Sequence, residues 1–353
     1  MMIVMAPRAT AADVARVVSL LDATGSVHAK VVPGADGVGV AAIGDPAAVR
    51  RLGLEGLPCV EAVVALERPY KLASAELAQG PSTFDIAGRS VGPDTFCLIA
   101  GPCTVESREQ TLRVAEAVAP KASMLRGGAF KPRTSPFAFR GLGPEALDIL
   151  AEARDRTGLP VVTELTDIRH AEAVGAAADV IQIGARSMQN YALLEVAGSL
   201  GKPVVLKRGL SSTLEELLMA ADYVLKETDQ VVLCERGIRT FETALRFTLD
   251  LGAVPWLKLH THLPVIVDPS HAAGDRRLVE ALACAAAAAG ADGVLVEVHD
   301  DPQSAQCDAA QQLHVRDFPA FAERVLAYAA LAGRALARPL PDRPPLHVFS
   351  SAA

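Results

Sequence analysis

The chain has 353 residues, half of them hydrophobic and 21% charged, a globular composition with room for two domains. Its 34 basic and 41 acidic residues give a net charge of −7, and aromatics are only 4%, which speaks against a broad basic nucleic-acid face or a base-stacking surface. The most apolar stretch, 281–291, is shorter than the roughly 20 residues a bilayer crossing needs, and the N-terminus carries no leader pattern. The six scattered cysteines contain no CxxC pair, so a reducing, cytoplasmic setting is expected.

Residues 1–66 have their own rhythm. Residues 2–5 form a short apolar run. Thr10 is placed to cap a helix over 11–22, with Val14, Val17, Val18 and Leu21 on one face. Runs at 27–32 and 38–43 predict strands around a turn at Pro33-Gly34. Asp45-Pro46 opens a short helix, and 59–66 predicts a fourth strand. The order βαββαβ is that of a ferredoxin-like domain. Residues 67–82, with Pro69, Gly80 and Pro81 and no periodicity, read as a linker. Residues 84–91 read as a hairpin turning at Ala87-Gly88.

From 83 to 337 the pattern is regular. Short apolar runs end at Gly101, Arg126, Glu164, Gly184, Arg208, Glu235, Asp268 and His299, and helical patterns such as 110–118, 146–156 and 278–289 fill the gaps. Eight strands, each followed by a helix, predict a (β/α)8 barrel. An open doubly wound sheet is the runner-up, but no GxGxxG follows its first strand. A Pro-rich tail, 338–353, closes the chain.

A barrel of this kind builds its active site at the C-terminal strand ends. There the chain places two chemical groups. Arg126, Lys131, Arg133, Arg186, Lys207 and Arg236 form a local cationic excess in an acidic protein, which points to a ligand with phosphates or carboxylates. Cys103, His271, Glu297 and an acidic residue of the last loop are metal-ligand types. A thiolate, imidazole and carboxylate mixture suits Mn, Fe, Co, Zn or Cu better than Mg or Ca.

At these residues the chain resembles the 3-deoxy-D-arabino-heptulosonate 7-phosphate (DAHP) synthases, in the bacterial subtype with an N-terminal ferredoxin-like domain. The segments that carry the resemblance are AGPC at 100–103, LRGGAFKPRTSP at 125–136, VTE at 162–164, QIGARSMQN at 182–190, VLKRG at 205–209, CERGIRTFE at 234–242, HLPVIVDPSHAAG at 262–274 and VEVH at 296–299. The resemblance implies condensation of phosphoenolpyruvate with erythrose 4-phosphate, the entry step of the shikimate pathway. It implies a divalent metal ion (Mn, Co, Fe or Zn) on Cys103, His271, Glu297 and Asp308. It places phosphoenolpyruvate on Arg126, Lys131, Arg186, Lys207 and Arg236, and the sugar phosphate on Arg133 and Thr134, with Asp268 near its hydroxyls. Lys131 and Glu235 are the candidates for handling water and proton, beside His271. A homo-oligomer, a tetramer by preference, and a Tyr or Phe effector acting through residues 1–66 complete the expectation, with no nucleic-acid or membrane partner.

The sibling 3-deoxy-octulosonate-8-phosphate synthases share AGPC and EVH but carry a KANR-type loop where this chain has KPRT, and a DATH-type motif where it has Asp268-Pro269-Ser270-His271. A catalytically inactive sugar-phosphate sensor is a further alternative, against which the complete metal and phosphate sets argue. The final loop departs from the usual SDGPQ, reading Cys307-Asp308-Ala309-Ala310-Gln311, and Phe247 stands where the family often has Asn. Cys307 reads as inert. His260 and His262 are expected to shape the loop before the seventh barrel strand, and His299 shares the face of Glu297.

Overall fold

The computed structural model describes residues 1–34, 37–65, 68–78 and 80–339. The N-terminal domain runs β1 (Met2–Met5), α1 (Ala11–Asp22), β2 (Val27–Gly34), β3 (Gly37–Gly44), α2 (Pro46–Arg51) and β4 (Val60–Val64). Its antiparallel sheet has the order β2-β3-β1-β4. Thr10 caps α1 in a reciprocal box with Asp13, and Asp45 caps α2 with Pro46 as its first residue. Val17 and Leu21 of α1 pack on Ile3, Met5 and Val40 of the sheet. Strands β2 and β3 pair through the expected turn residues, Pro33 with Val38 and Gly34 with Gly37, so β2 runs two residues past its expected end at 32. Residues 35 and 36, residue 66 of the expected fourth strand, residues 67 and 79 of the expected linker, and 340–353 of the tail lie outside the described residues.

A hairpin follows, β5 (Phe84–Ile86) and β6 (Arg89–Val91), with Ala87 at φ 48° and Gly88 at φ 80°, the left-handed pair that such two-residue turns require. The barrel strands are β7 (Thr95–Gly101), β8 (Met124–Arg126), β9 (Val161–Glu164), β10 (Val180–Ile183), β11 (Val204–Lys207), β12 (Val231–Glu235), β13 (Val265–Val267) and β14 (Gly293–His299). All pair in parallel, and β14 closes on β7. Around them lie α3 (Arg108–Val118), α4 (Pro144–Thr157), α5 (Ala171–Ala177), α6 (Tyr191–Ser199), α7 (Leu214–Leu225), α8 (Ala253–His260), the short α9 (Pro269–Ala273), α10 (Arg276–Ala288) and α11 (Phe318–Leu331). No helix among the described residues is long and apolar enough to cross a membrane.

Strand alternation decides what faces where. Leu98, Leu206 and Leu233 face the helices and are fully buried, each worth about 1.5–3 kcal/mol relative to exposure. Inward, Ile99, Met124, Val162, Val180, Val205, Val232, Ile266 and Leu295 make an apolar layer, closed below by Ile86 and Val91 of the hairpin. Two residues further along the same strands, the inward positions become Arg126, Glu164, Gln182, Lys207 and Glu297.

The segment expected as a linker is packed. Tyr70, Leu72 and Ala73 join the helix-facing core, and Leu77 is buried. Asp222 of α7 accepts the amides of Lys71 at 2.5 Å and Ala73 at 2.8 Å, which satisfies backbone that no strand or helix serves. His262 bridges the Leu72 carbonyl, 2.8 Å, and Ser82 Oγ, 2.7 Å. Lys30 of β2 meets Asp229 and, at 3.2 Å, the Leu225 carbonyl. The N-terminal domain thus docks where α7 feeds the N-terminal end of β12, at the opposite end of the barrel from the strand-end charges.

Candidate active site

Arg126, Lys131, Glu164, Arg186, Lys207, Arg236 and His271 line one pocket at the C-terminal strand ends. Arg126 and Arg236 are 4% exposed. Arg126 Nε and Nη1 and Arg236 Nε have no hydrogen-bond partner; Arg126 Nη1 lies 3.0 Å from Glu297 Oε1 without hydrogen-bond alignment. Buried guanidinium donors left open in this way are prepared for an anion. Lys207 Nζ is held by Asp268 at 2.5 Å. Arg186 lines the pocket from an exposed position at its rim. Thr134 is exposed and Arg133 donates to the Phe139 carbonyl at 3.4 Å, and neither is among the residues that line the pocket.

Beside the pocket stands the thiol and carboxylate cluster. Donor atoms of Cys103, Glu297 and Asp308 lie within 4.8 Å of one another. His271 Nε2 is 3.5 Å from Glu297 Oε1 and 3.8 Å from Asp308 Oδ2. The ring is oriented from behind by Asp268, whose Oδ2 lies 2.7 Å from Nδ1 and whose Oδ1 accepts the His271 amide. With Nδ1–H given to Asp268, Nε2 turns its lone pair toward the carboxylates. Burial pulls His271 down to about 4, against Asp268 and Glu297, so the ring is neutral at neutral pH. Burial pushes Asp308 up, but Lys131, His271 and Arg246 outweigh it and leave it well below the carboxylate range. Burial, Cys307 and Glu297 hold the Cys103 thiol well above its ordinary range. Lys131 Nζ lies 2.7 Å from Cys103 Sγ and 3.1 Å from Asp308 Oδ2, so a cation is already accommodated among these donors. One thiol, one neutral imidazole and two carboxylates fit a divalent transition metal.

The structure brings Cys103, His271, Glu297 and Asp308 together, and gathers Arg126, Lys131, Arg186, Lys207 and Arg236 next to them. It places two residues differently from the expectation. Asp268 is fully buried behind Lys207 and His271 rather than facing the pocket. Glu235 lies on the helix-facing side of β12, where it accepts from Arg208 at 2.8 Å and from the Gly237 amide at 2.6 Å. Period-two alternation carried through Lys207-Arg208 and Glu235-Arg236 sorts these neighbours to opposite faces. His260 caps back onto Trp256, and His262 pins the packed linker. His299 is buried near Glu106 and Asp300.

Sequence reasoning passed over Arg246, which reaches Asp308 Oδ1 at 3.2 Å and Gln311 Oε1 at 2.5 Å, while Gln311 Nε2 donates to Glu297 Oε2 at 2.7 Å. Nothing in their spacing marks them, because the loop after β12 and the loop after β14 meet only in the fold. Asp308 sits at φ 52°, a left-handed conformation that a non-glycine residue keeps only when its surroundings over-determine it. Cys307 is buried, 2.8 Å from Thr104 Oγ1.

Comparison with known proteins agrees with this arrangement. Residues 78–331 match the DAHP synthetase I family and residues 1–68 the DAHP synthase ferredoxin-like domain. The phospho-2-dehydro-3-deoxyheptonate aldolase of Thermotoga maritima is 44% identical over 92% of this chain and 96% of its own. A crystal structure of that enzyme, also termed DAHP synthase, superposes with a TM-score of 0.75 at 42% identity, covering 95% of this chain and 98% of that one. The 2-dehydro-3-deoxyphosphooctonate aldolase of Syntrophobacter fumaroxidans is 32% identical over 69% of this chain and 90% of its own. The chain belongs to the DAHP synthetase I family and carries that family's ferredoxin-like domain at its N-terminus.

Proposed function

We propose that this chain condenses phosphoenolpyruvate, erythrose 4-phosphate and water to DAHP and phosphate, as a metal-dependent transferase at the entry to the shikimate pathway. The observation that carries the reading is the pocket itself: buried guanidinium donors without partners stand beside a thiol, imidazole and carboxylate cluster. Arg126, Arg236, Lys207 and, from the rim, Arg186 hold the phosphate and carboxylate of phosphoenolpyruvate, giving orientation and charge stabilisation in a water-poor site. Arg133 and Thr134 bind the sugar phosphate. Carbon 3 of phosphoenolpyruvate attacks the aldehyde carbon; water adds at carbon 2, and phosphate leaves with cleavage of its carbon–oxygen bond.

Cys103, His271, Glu297 and Asp308 hold the divalent ion, Mn, Co, Fe or Zn, which supplies Lewis-acid polarisation of the aldehyde oxygen when bound. Lys131, an ammonium on the pocket side, gives a proton to the new hydroxyl. Glu235 acts through Arg208 and the Gly237 amide, and Asp268 through Lys207 and His271. Phosphate release from phosphoenolpyruvate tests the reading: it is expected with erythrose 4-phosphate and not with arabinose 5-phosphate. The reverse preference, or no release with either sugar, overturns it.

Among the described residues, none of the N-terminal domain lines the pocket, and the domain docks at the far end of its own barrel. Feedback by Tyr or Phe therefore acts across copies in a homo-oligomer, a tetramer by preference, with one copy's domain covering another's strand ends and the effector favouring the covered state. Deleting residues 1–66 is expected to remove inhibition by either amino acid. Inhibition that survives the deletion, or a full-length enzyme indifferent to both, ends this part of the reading.

A further inference from the structure

We propose that Phe247 is a positioning residue for the condensation: its ring face holds the Arg236 guanidinium toward the anionic substrate without neutralising it. The inference rests on the functional reading above. The Arg236 Cζ lies 4.0 Å from the centroid of the Phe247 ring. The guanidinium is otherwise poorly served. Its Nε is buried and unpartnered, and Nη1 reaches the Gly237 carbonyl at 3.3 Å.

The other buried cations here are treated differently. Arg126 faces Glu297, Lys131 faces Asp308, Lys207 faces Asp268, and Arg208 faces Glu235. Among the described residues Arg236 has no carboxylate partner. A desolvated cation needs compensation. A carboxylate would supply it and cancel the charge; an aromatic face supplies part of it and leaves the full positive charge for an incoming phosphate or carboxylate.

The ring is fixed for the task. The Phe247 amide donates to the Ala272 carbonyl at 3.0 Å, seating it on α9, the helix that carries His271. Gly237, at φ 84°, has no room for a side chain: a Cβ there would come within 2.8 Å of Phe247 Cβ and 3.1 Å of Ala272 Cβ. The same ring lies 5.8 Å from Arg246, but that guanidinium is already paired with Asp308.

The test replaces Phe247 with 4-fluoro-, 3,5-difluoro- and 3,4,5-trifluorophenylalanine, which keep the shape of the ring and progressively weaken the negative potential of its face. KM for phosphoenolpyruvate is expected to rise stepwise, to roughly tenfold for the trifluoro ring. KM for erythrose 4-phosphate and kcat should hold. Phe247→Tyr should retain the parent KM, and Phe247→Leu should lose at least as much as the trifluoro ring. A phosphoenolpyruvate KM indifferent to fluorination, or kcat and both KM values moving together, overturns the proposal. The unsubstituted enzyme in the same assay separates the two readings. If the condensation reading fails, it gives no sugar-dependent phosphate release; if only this inference fails, turnover persists and the fluorinated series is flat.

Discussion

Inside the barrel, two layers are made by the same strands one inward step apart, and they obey opposite rules. On β8, Met124 packs in the apolar layer and Arg126 in the charged one; on β11 the pair is Val205 and Lys207. The lower layer is stabilised by contact alone. The upper layer buries charge, which costs more than its Coulomb attraction returns unless each group is paired or awaits a partner. Nearly every group there is paired: Lys207 with Asp268, Asp268 with His271, Arg126 with Glu297. The lower layer contributes stability, and the upper one spends part of it on preorganised chemistry.

The charged layer is most sensitive at the metal cluster. Cys103→Ser is expected to reduce turnover more than about a hundredfold, since even groups behind the ligands cost 10–100-fold. The circular dichroism spectrum should stay unchanged. Chelation should abolish activity and Mn, Co or Fe restore it. Full turnover in a sample shown metal-free by elemental analysis would refute the assignment.

The two layers separate on β13 and the residue that ends it. Ile266→Ala opens a cavity in the dry layer and should cost about 2–5 kcal/mol in urea unfolding, with kcat/KM preserved in the folded fraction. Asp268→Asn, two residues on, should instead lower metal affinity and turnover about 10–100-fold. If both variants lose stability and activity in parallel, the layers are not functionally distinct. Arg186→Lys keeps the charge at the rim but loses the planar fork. A loss of about 1.5–3 kcal/mol in kcat/KM for phosphoenolpyruvate is expected, the worth of a hydrogen bond to a charged group. Unchanged kinetics would remove Arg186 from the binding set.

How much of this was legible in the sequence follows from which interactions are local. The strand ends were readable because apolar runs stop at a charge, and α1 and α2 because Thr10 and Asp45 are capping residues in place. The facing of Glu235 was also legible, through alternation with Arg236, but charge at a strand end does not by itself tell inward from outward. The seat of Asp268 behind His271 was not legible, because it depends on α9 turning back three residues later. Arg246 and Gln311 were hidden for the same kind of reason, lying 65 residues apart in sequence. The packed linker gave no signal, since a segment without periodicity is buried here by what its neighbours offer rather than by its own pattern.

That linker supplies the smallest effect. Asp222, at the end of the molecule opposite the pocket, receives the amides of Lys71 and Ala73. Burial pushes its carboxyl up to about 6, and the amide hydrogen bonds and Lys71 only partly oppose this. Between the ordinary carboxyl value of 3.8 and about 6, the folded chain retains a proton that the unfolded chain has released. The stability this group contributes is therefore fully present below the unfolded value and is lost as pH rises through the folded one. Asp222→Asn cannot titrate. The stability of the parent minus that of the variant should fall by about 2 kcal/mol between pH 4 and 7, measured by urea unfolding. The pH profile of turnover, set at the other end of the barrel, should not follow it. A difference that is flat or rises with pH would mean that the amides, not burial, govern this carboxylate, and that the dock between the domains is held by charge.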